Sequence, residues 1–269
     1  MNFKQKIASA MDKSGGMVCV GLDPDPKRLP GFLRGEDWGR VITFNKTIID
    51  ATYPYAAAYK LNLAFYEALG EHGWETLRET VSAIPDDCLT IADGKRGDIG
   101  NSARFYAAAL FEEIRFDAAT VNPYMGWDSV EPFAASPEKG AFILTLTSNP
   151  GAKDFQFSGE GRKLFEAVAA KACEWNELGN IGLVTGATQA EHFRRLREIA
   201  PDMPFLIPGV GAQGGDLHAV VENALKGFPG GGLINSSRGI IYASSDTDFA
   251  EAAGSAAKKL RDEINEILD

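Results

Sequence analysis

The 269-residue chain is 45% hydrophobic, with a formal net charge of -10 at pH 7. It can therefore bury a large core, and a broad basic surface for nucleic acid is excluded. Three scattered cysteines (Cys19, Cys88, Cys173) indicate reduced thiols and a cytoplasmic protein, and no apolar run approaches the ~20 residues of a membrane span.

The first sixteen residues, interrupted by Lys4, Lys6, Asp12 and Lys13, do not read as a signal peptide. Phe3 to Lys13 instead forms an amphipathic helix ending at Gly15-Gly16. The apolar run Met17 to Asp23 is a first strand, finishing on an aspartate and a proline-rich loop. A helix from about Val41 to Thr52 leads to a second strand, Ala56 to Asn62. A further helix then runs from Ala64 into the Leu77–Ile84 region. The third strand opens at Leu89, and Asn101 or Ser102 is the expected N-cap of the helix behind it. Strands four and five are Asp117–Asn122 and Ala141–Thr147. Ile181–Thr185, Phe205–Pro208 and Gly232–Asn235 are the sixth to eighth. Helices are expected over Arg162–Glu177, Ala190–Ile199, Gly215–Leu225 and Asp248–Leu268.

Roughly eight short apolar strands, each followed by a helix-length segment, in ~250 residues predict an α/β fold of the (β/α)₈ TIM-barrel type. Near-continuous apolar strands fit a parallel sheet covered on both sides. No linker, composition break or repeat divides the chain, so residues 1–269 are expected to form one catalytic domain. A doubly wound open sheet has a compatible strand count and is the alternative.

In such barrels the catalytic groups sit at the C-terminal ends of strands. Those ends carry Asp23, Lys60, Asp93 with Lys95, Asn122, Thr147-Ser148, Thr185, Pro208-Gly209 and Asn235-Ser236-Ser237-Arg238. Asp93, Lys95 and Asp98 have the spacing D-x-K-x-x-D. If Asp93 and Lys95 lie in extended chain, alternation points both to the same side. Asp98, past two turn residues, can come back to them or reach elsewhere. By itself the spacing also fits a surface ion pair. Lys60 sharpens the matter, because a lysine ending an apolar strand is costly to bury without carboxylates such as Asp93.

The late glycine-rich stretch Pro208 to Asp216 and the stretch Ser236 to Gly239 follow strands seven and eight, the usual phosphate site of these barrels. Glycines such as Gly211 let the backbone approach an anion, and Arg238 can donate two hydrogen bonds to it. Gly209, Gly211 and Gly214 also match G-x-G-x-x-G. That match follows the seventh strand and lacks the later acidic residue of a dinucleotide site. His72, His192 and His218 stand far apart and form no metal-ligand pattern.

The stretch Thr90 to Gly100 resembles the signature of the orotidine 5'-phosphate decarboxylases, in particular their longer-chain bacterial branch (type 2). Gly21-Leu22-Asp23-Pro24, Lys60-Leu61-Asn62, Thr147 to Gly151, Pro208 to Gln213 and Ser237-Arg238-Gly239 match in the family's order. The resemblance implies conversion of orotidine 5'-monophosphate to uridine 5'-monophosphate without a cofactor or metal, in pyrimidine biosynthesis. It also implies a homodimer with shared sites. Carried onto this chain, the charge array is Lys60, Asp93, Lys95 and Asp98, with Asp98 reaching the neighbouring subunit. Asp23 and Lys60 hold ribose hydroxyls, and Ser102 reaches the partner's ribose. Ser148 reads the pyrimidine, while Gln213 and Arg238 close over the phosphate. Loss of CO₂ from a pyrimidine carbon leaves an undelocalised carbanion, so fixed charges must stabilise it and a donor must protonate it. Lys95 is the residue for both. A metal-dependent β-keto-acid sugar-phosphate decarboxylase of the same superfamily is the alternative, followed by a sugar-phosphate isomerase or epimerase and a non-enzymatic nucleotide-binding barrel.

Overall fold

A computed structural model describes residues 1–35, 38–210, 214–228 and 231–269. Eight strands form in chain order: β1 (Val18–Gly21), β2 (Ala58–Asn62), β3 (Leu89–Arg96), β4 (Ala118–Val121), β5 (Gly140–Leu146), β6 (Ile181–Thr185), β7 (Phe205–Pro208) and β8 (Gly232–Ser236). β1, β4 and β6 are buried along their whole length, which suits a parallel sheet wrapped in helices. The strands pair in sequence, all parallel, and β8 returns to β1 through Val18↔Ile234, Cys19↔Asn235 and Val20↔Ser236. Closure rules out the open doubly wound sheet.

The barrel's interior is plugged from its N-terminal end by the helix Phe3–Ser14. Asn2 and Gln5 form a reciprocal capping box that starts this helix, and Gly15, at φ 64°, ends it. The Phe3 ring meets Phe142 edge-on with centroids 5.8 Å apart. It occupies the space where a Cβ on Gly140 would fall 2.2 Å from it. A larger apolar layer, including Phe44, Ile48, Tyr59 and Phe193, packs the outer helices onto the strands.

Several local expectations change. The continuous helix from Ala64 to Ile84 is instead Leu63–Glu67, a 3₁₀ turn at Gly70–His72 and a second helix, Gly73–Ser82. Gly70 takes a left-handed φ of 64°, and a Cβ on Gly73 would lie 2.2 Å from the Tyr66 carbonyl oxygen. The helix after β3 starts at Gly100 with Ile99 as its N-cap, not Asn101 or Ser102. The Asp98 carboxylate accepts the Ile99 N–H at 2.8 Å, so Asp98 takes up a cap-like bond one residue early. The helix Trp127–Ala134 contains Pro132, which masks it in the sequence pattern. Among the described residues no helix is long and apolar enough to cross a membrane.

Candidate active site

The C-terminal strand ends surround a cavity of about 600 Å³. Of the expected site residues, Asp23, Lys60, Asp93, Lys95, Ser148 and Arg238 line it together. β2 carries Lys60 to the floor, where its side chain is buried. The Lys60 Nζ donates to Asp93 Oδ2 at 2.7 Å, and the Lys95 Nζ donates to Asp93 Oδ1, also at 2.7 Å. One carboxylate thus lies between two ammonium groups, and the Lys95 side chain remains 45% exposed toward the opening.

Burial alone would raise the Asp93 pKa, but the ammoniums of Lys60 and Lys95 outweigh it and hold this carboxyl below the usual carboxylate range. For Lys60, burial opposes the charge, yet Asp23 and Asp93 push its pKa above that of an ordinary lysine. Underneath, Cys19 is fully buried, and burial pushes its thiol up to about 12, so it stays neutral.

Asp23 is positioned by groups from two other strand ends. Its Oδ1 accepts the Asn62 N–H at 3.0 Å, and its Oδ2 accepts the Ser237 hydroxyl at 2.7 Å. That hydroxyl fits because residue 21 is glycine; a Cβ there would fall 1.8 Å from Ser237 Oγ. The end of β8, next to Arg238, is in this way tied to the ends of β1 and β2. Across the cavity Gln156 reaches back from the long loop after β5. Its Oε1 accepts the Thr147 N–H and its Nε2 donates to Thr147 Oγ1, both at 2.8 Å.

Asp98 and Ser102 do not join this cavity. They line a second concavity of about 400 Å³ with Trp74, Arg96, Phe105 and Tyr106. Phe105 stands 69% exposed there, and Ile99, next to Asp98 in the chain, is 53% exposed. Gly211 and Gln213 lie outside the described residues; Pro208, Gly209 and Val210 just before them line the main cavity. Asn122, at the end of β4, does not line the main cavity; its Oδ1 accepts the Tyr124 N–H at 3.0 Å.

Sequence reasoning assigned no individual role to Asn62, Ser237, Gln156 or Thr120. Asn62, Ser237 and Thr120 bond partners distant in sequence, Gln156 bonds within its own strand-end loop, and hydroxyl or amide residues in strands and loops carry no spacing signal. Among the described residues no group of three His, Cys, Asp or Glu side chains is arranged to hold a metal ion. Both oxygens of Asp93, moreover, are already engaged by ammoniums.

A family model described as the orotidine 5'-phosphate decarboxylase / HUMPS family matches residues 16–253. The chain is 51% identical to the orotidine 5'-phosphate decarboxylase of Dehalococcoides mccartyi over 98% of both sequences. With that of Halorubrum lacusprofundi the identity is 48% over 99% of both. Among solved structures, the OMP decarboxylase of Leishmania donovani superposes with a TM-score of 0.88 at 38% identity, covering 100% of this chain and 99% of that one. Match length, identity and a barrel mouth built of paired lysines and aspartates agree: the chain belongs to the orotidine 5'-phosphate decarboxylase / HUMPS family and is an enzyme of the carboxy-lyase kind.

Proposed function

We propose that this chain is a single-domain orotidine 5'-phosphate decarboxylase that releases CO₂ from orotidine 5'-monophosphate without a cofactor or metal, in pyrimidine biosynthesis. The observation that carries the reading is the Lys60–Asp93–Lys95 array, with both lysines 2.7 Å from one buried carboxylate at the floor of the cavity. Breaking the ring-carbon to carboxyl bond leaves its electron pair on an sp² carbon. Lys95, the exposed cation of the array, faces that charge and then donates its proton to the carbon. Solvent reprotonates the amine. Asp93 close to the substrate carboxylate adds repulsion relieved as CO₂ leaves, roughly 4 kcal/mol for an isolated pair at about 4 Å and an effective dielectric near 20. Arg238, with Gln213 and Gly211, holds the phosphate, whose binding energy orders the site. Asp23 and Lys60 take the ribose hydroxyls, and Ser148 takes the pyrimidine edge.

Asp98 and Ser102 serve the partner's site in a cytoplasmic homodimer. Their distance from this chain's own cavity and the exposed Ile99, Phe105 and Tyr106 beside them support that reading. Mixing Lys95→Ala with Asp98→Ala subunits is expected to restore activity to about a quarter of wild type, because half the mixed dimers' sites are intact. No rescue overturns the shared site. The carrying test is loss of orotidylate absorbance in chelator. Wild type is expected to turn over fully there, with Lys95→Ala slower by roughly 10³-fold or more while still binding uridylate. Activity abolished by chelator would favour the metal-dependent β-keto-acid decarboxylase instead.

A further inference from the structure

The pairing of β3 with β4 is irregular where the charge array begins. Ile91 pairs with Ala118 and Ala92 with Ala119, but the next pair is Arg96 with Val121. Three residues of β3, Asp93, Gly94 and Lys95, therefore oppose the single residue Thr120, as in an enlarged β-bulge. Lys95 sits in this bulge at φ 45°, a left-handed conformation uncommon for a residue with a side chain. Such a backbone persists only when its surroundings hold it, and it is over-represented at functional sites.

The Thr120 side chain supplies the hold. The Lys95 N–H, displaced from the ladder, donates to Thr120 Oγ1 at 2.9 Å. The same hydroxyl donates to Asp93 Oδ1 at 3.0 Å. An amide N–H can only donate and a carboxylate can only accept, so the direction of both bonds is fixed. The Lys95 Nζ rests on that same Oδ1 at 2.7 Å. Thr120 is buried, and it lines the main cavity.

We propose that Thr120 is a positioning residue for the decarboxylation. Its hydroxyl replaces the missing ladder partner and locks the Lys95 backbone and the Asp93 carboxylate into one unit that aims the ammonium. This rests on the function proposed above. Three residues earlier on each chain segment, past the pairs Ile91↔Ala118 and Ala92↔Ala119, Thr90 offers an internal control. Its hydroxyl donates to Asp117 Oδ2 at 3.0 Å and accepts the Asp117 N–H, also at 3.0 Å, far from the cavity.

The experiment is steady-state turnover of orotidine 5'-monophosphate by wild type, Thr120→Val, Thr120→Ala, Thr120→Ser and Thr90→Val, with thermal melts of each. Valine keeps the shape and removes the hydroxyl. Its kcat is expected to fall roughly 10–100-fold with KM moved much less, the scale of a small misplacement of a reacting group. Serine restores kcat to within about threefold, and Thr90→Val lowers the melting temperature while leaving kcat intact. If the valine variant does not fold, alanine is read in its place. An active wild type with undiminished Thr120→Val, or a serine variant as slow as valine, overturns this inference alone. A wild type that releases no CO₂ overturns the decarboxylase reading and this inference with it.

Discussion

Two aspartates on neighbouring strands of the barrel are bonded almost identically and end in opposite circumstances. At the N-terminal end Asp117 accepts from Lys6 at 2.8 Å and from the hydroxyl and N–H of Thr90 at 3.0 and 3.1 Å. At the C-terminal end Asp93 accepts from Lys60, Lys95 and Thr120 at 2.7, 2.7 and 3.0 Å. The lower cluster sits beside a helix whose Phe3 fills the barrel's base, whereas the upper one forms the floor of an open cavity. A lysine–carboxylate–threonine cluster is therefore no active site by composition. A second buried cation, the bulge that turns Lys95 into the mouth and the space above it make the difference.

Substituting the two exposed-side lysines tests that contrast most strongly. Lys95→Ala removes the proton donor and is expected to lower kcat by roughly 10³-fold. Lys6→Ala should leave kcat within about twofold and cost about 1 kcal/mol or less in urea unfolding, the scale of a partly exposed pair. Equal losses of activity would erase the distinction between the ends.

Next in size is the plug. Phe3→Ala empties a fully packed site at the base and should destabilise the fold by about 3 kcal/mol, read as a lowered midpoint in urea, with kcat of the folded enzyme preserved. A fall in kcat would mean that the base communicates with the mouth.

A smaller effect is expected from Gly21→Ala. The new methyl group would meet the Ser237 hydroxyl that holds Asp23, so kcat/KM should drop by about tenfold with modest change in melting temperature. Unchanged kinetics would show that Asp23 needs no support from β8.

Acid unfolding gives the finest comparison. The Asp93 pKa is depressed in the folded protein, so its contribution to stability is complete above the unfolded carboxylate value near ~4. It is lost as pH falls below that toward the lower folded value. Asp93→Asn should flatten the stability profile in that acid range. A profile as steep as wild type would assign the acid sensitivity to other carboxylates.

The local pattern of apolar residues was enough to read the strands: β6 and β7 occupy the expected residues, and the others differ only at their ends. Helices were read less well wherever a backbone detail intervened. Pro132 concealed Trp127–Ala134, and the steric demands at Gly70 and Gly73 broke a segment that periodicity reads as continuous. The D-x-K spacing did bring Asp93 and Lys95 together, but not by simple strand alternation. They meet across a bulge with Lys95 left-handed, and a bulge is set by the partner strand, which local sequence does not display.

The sequence by itself determined the succession of strands and helices, the charged strand ends and the family to which they are similar, because apolar periodicity and residue spacing are local properties. Only the tertiary structure decided which of those ends share a cavity. Barrel closure brings Ser237 of the eighth strand's end to Asp23 of the first, while Asp98 faces away with Ser102, although it is three residues from Lys95. The reason is geometric: strand order and register set side-chain neighbours across the barrel, and those depend on the whole chain at once.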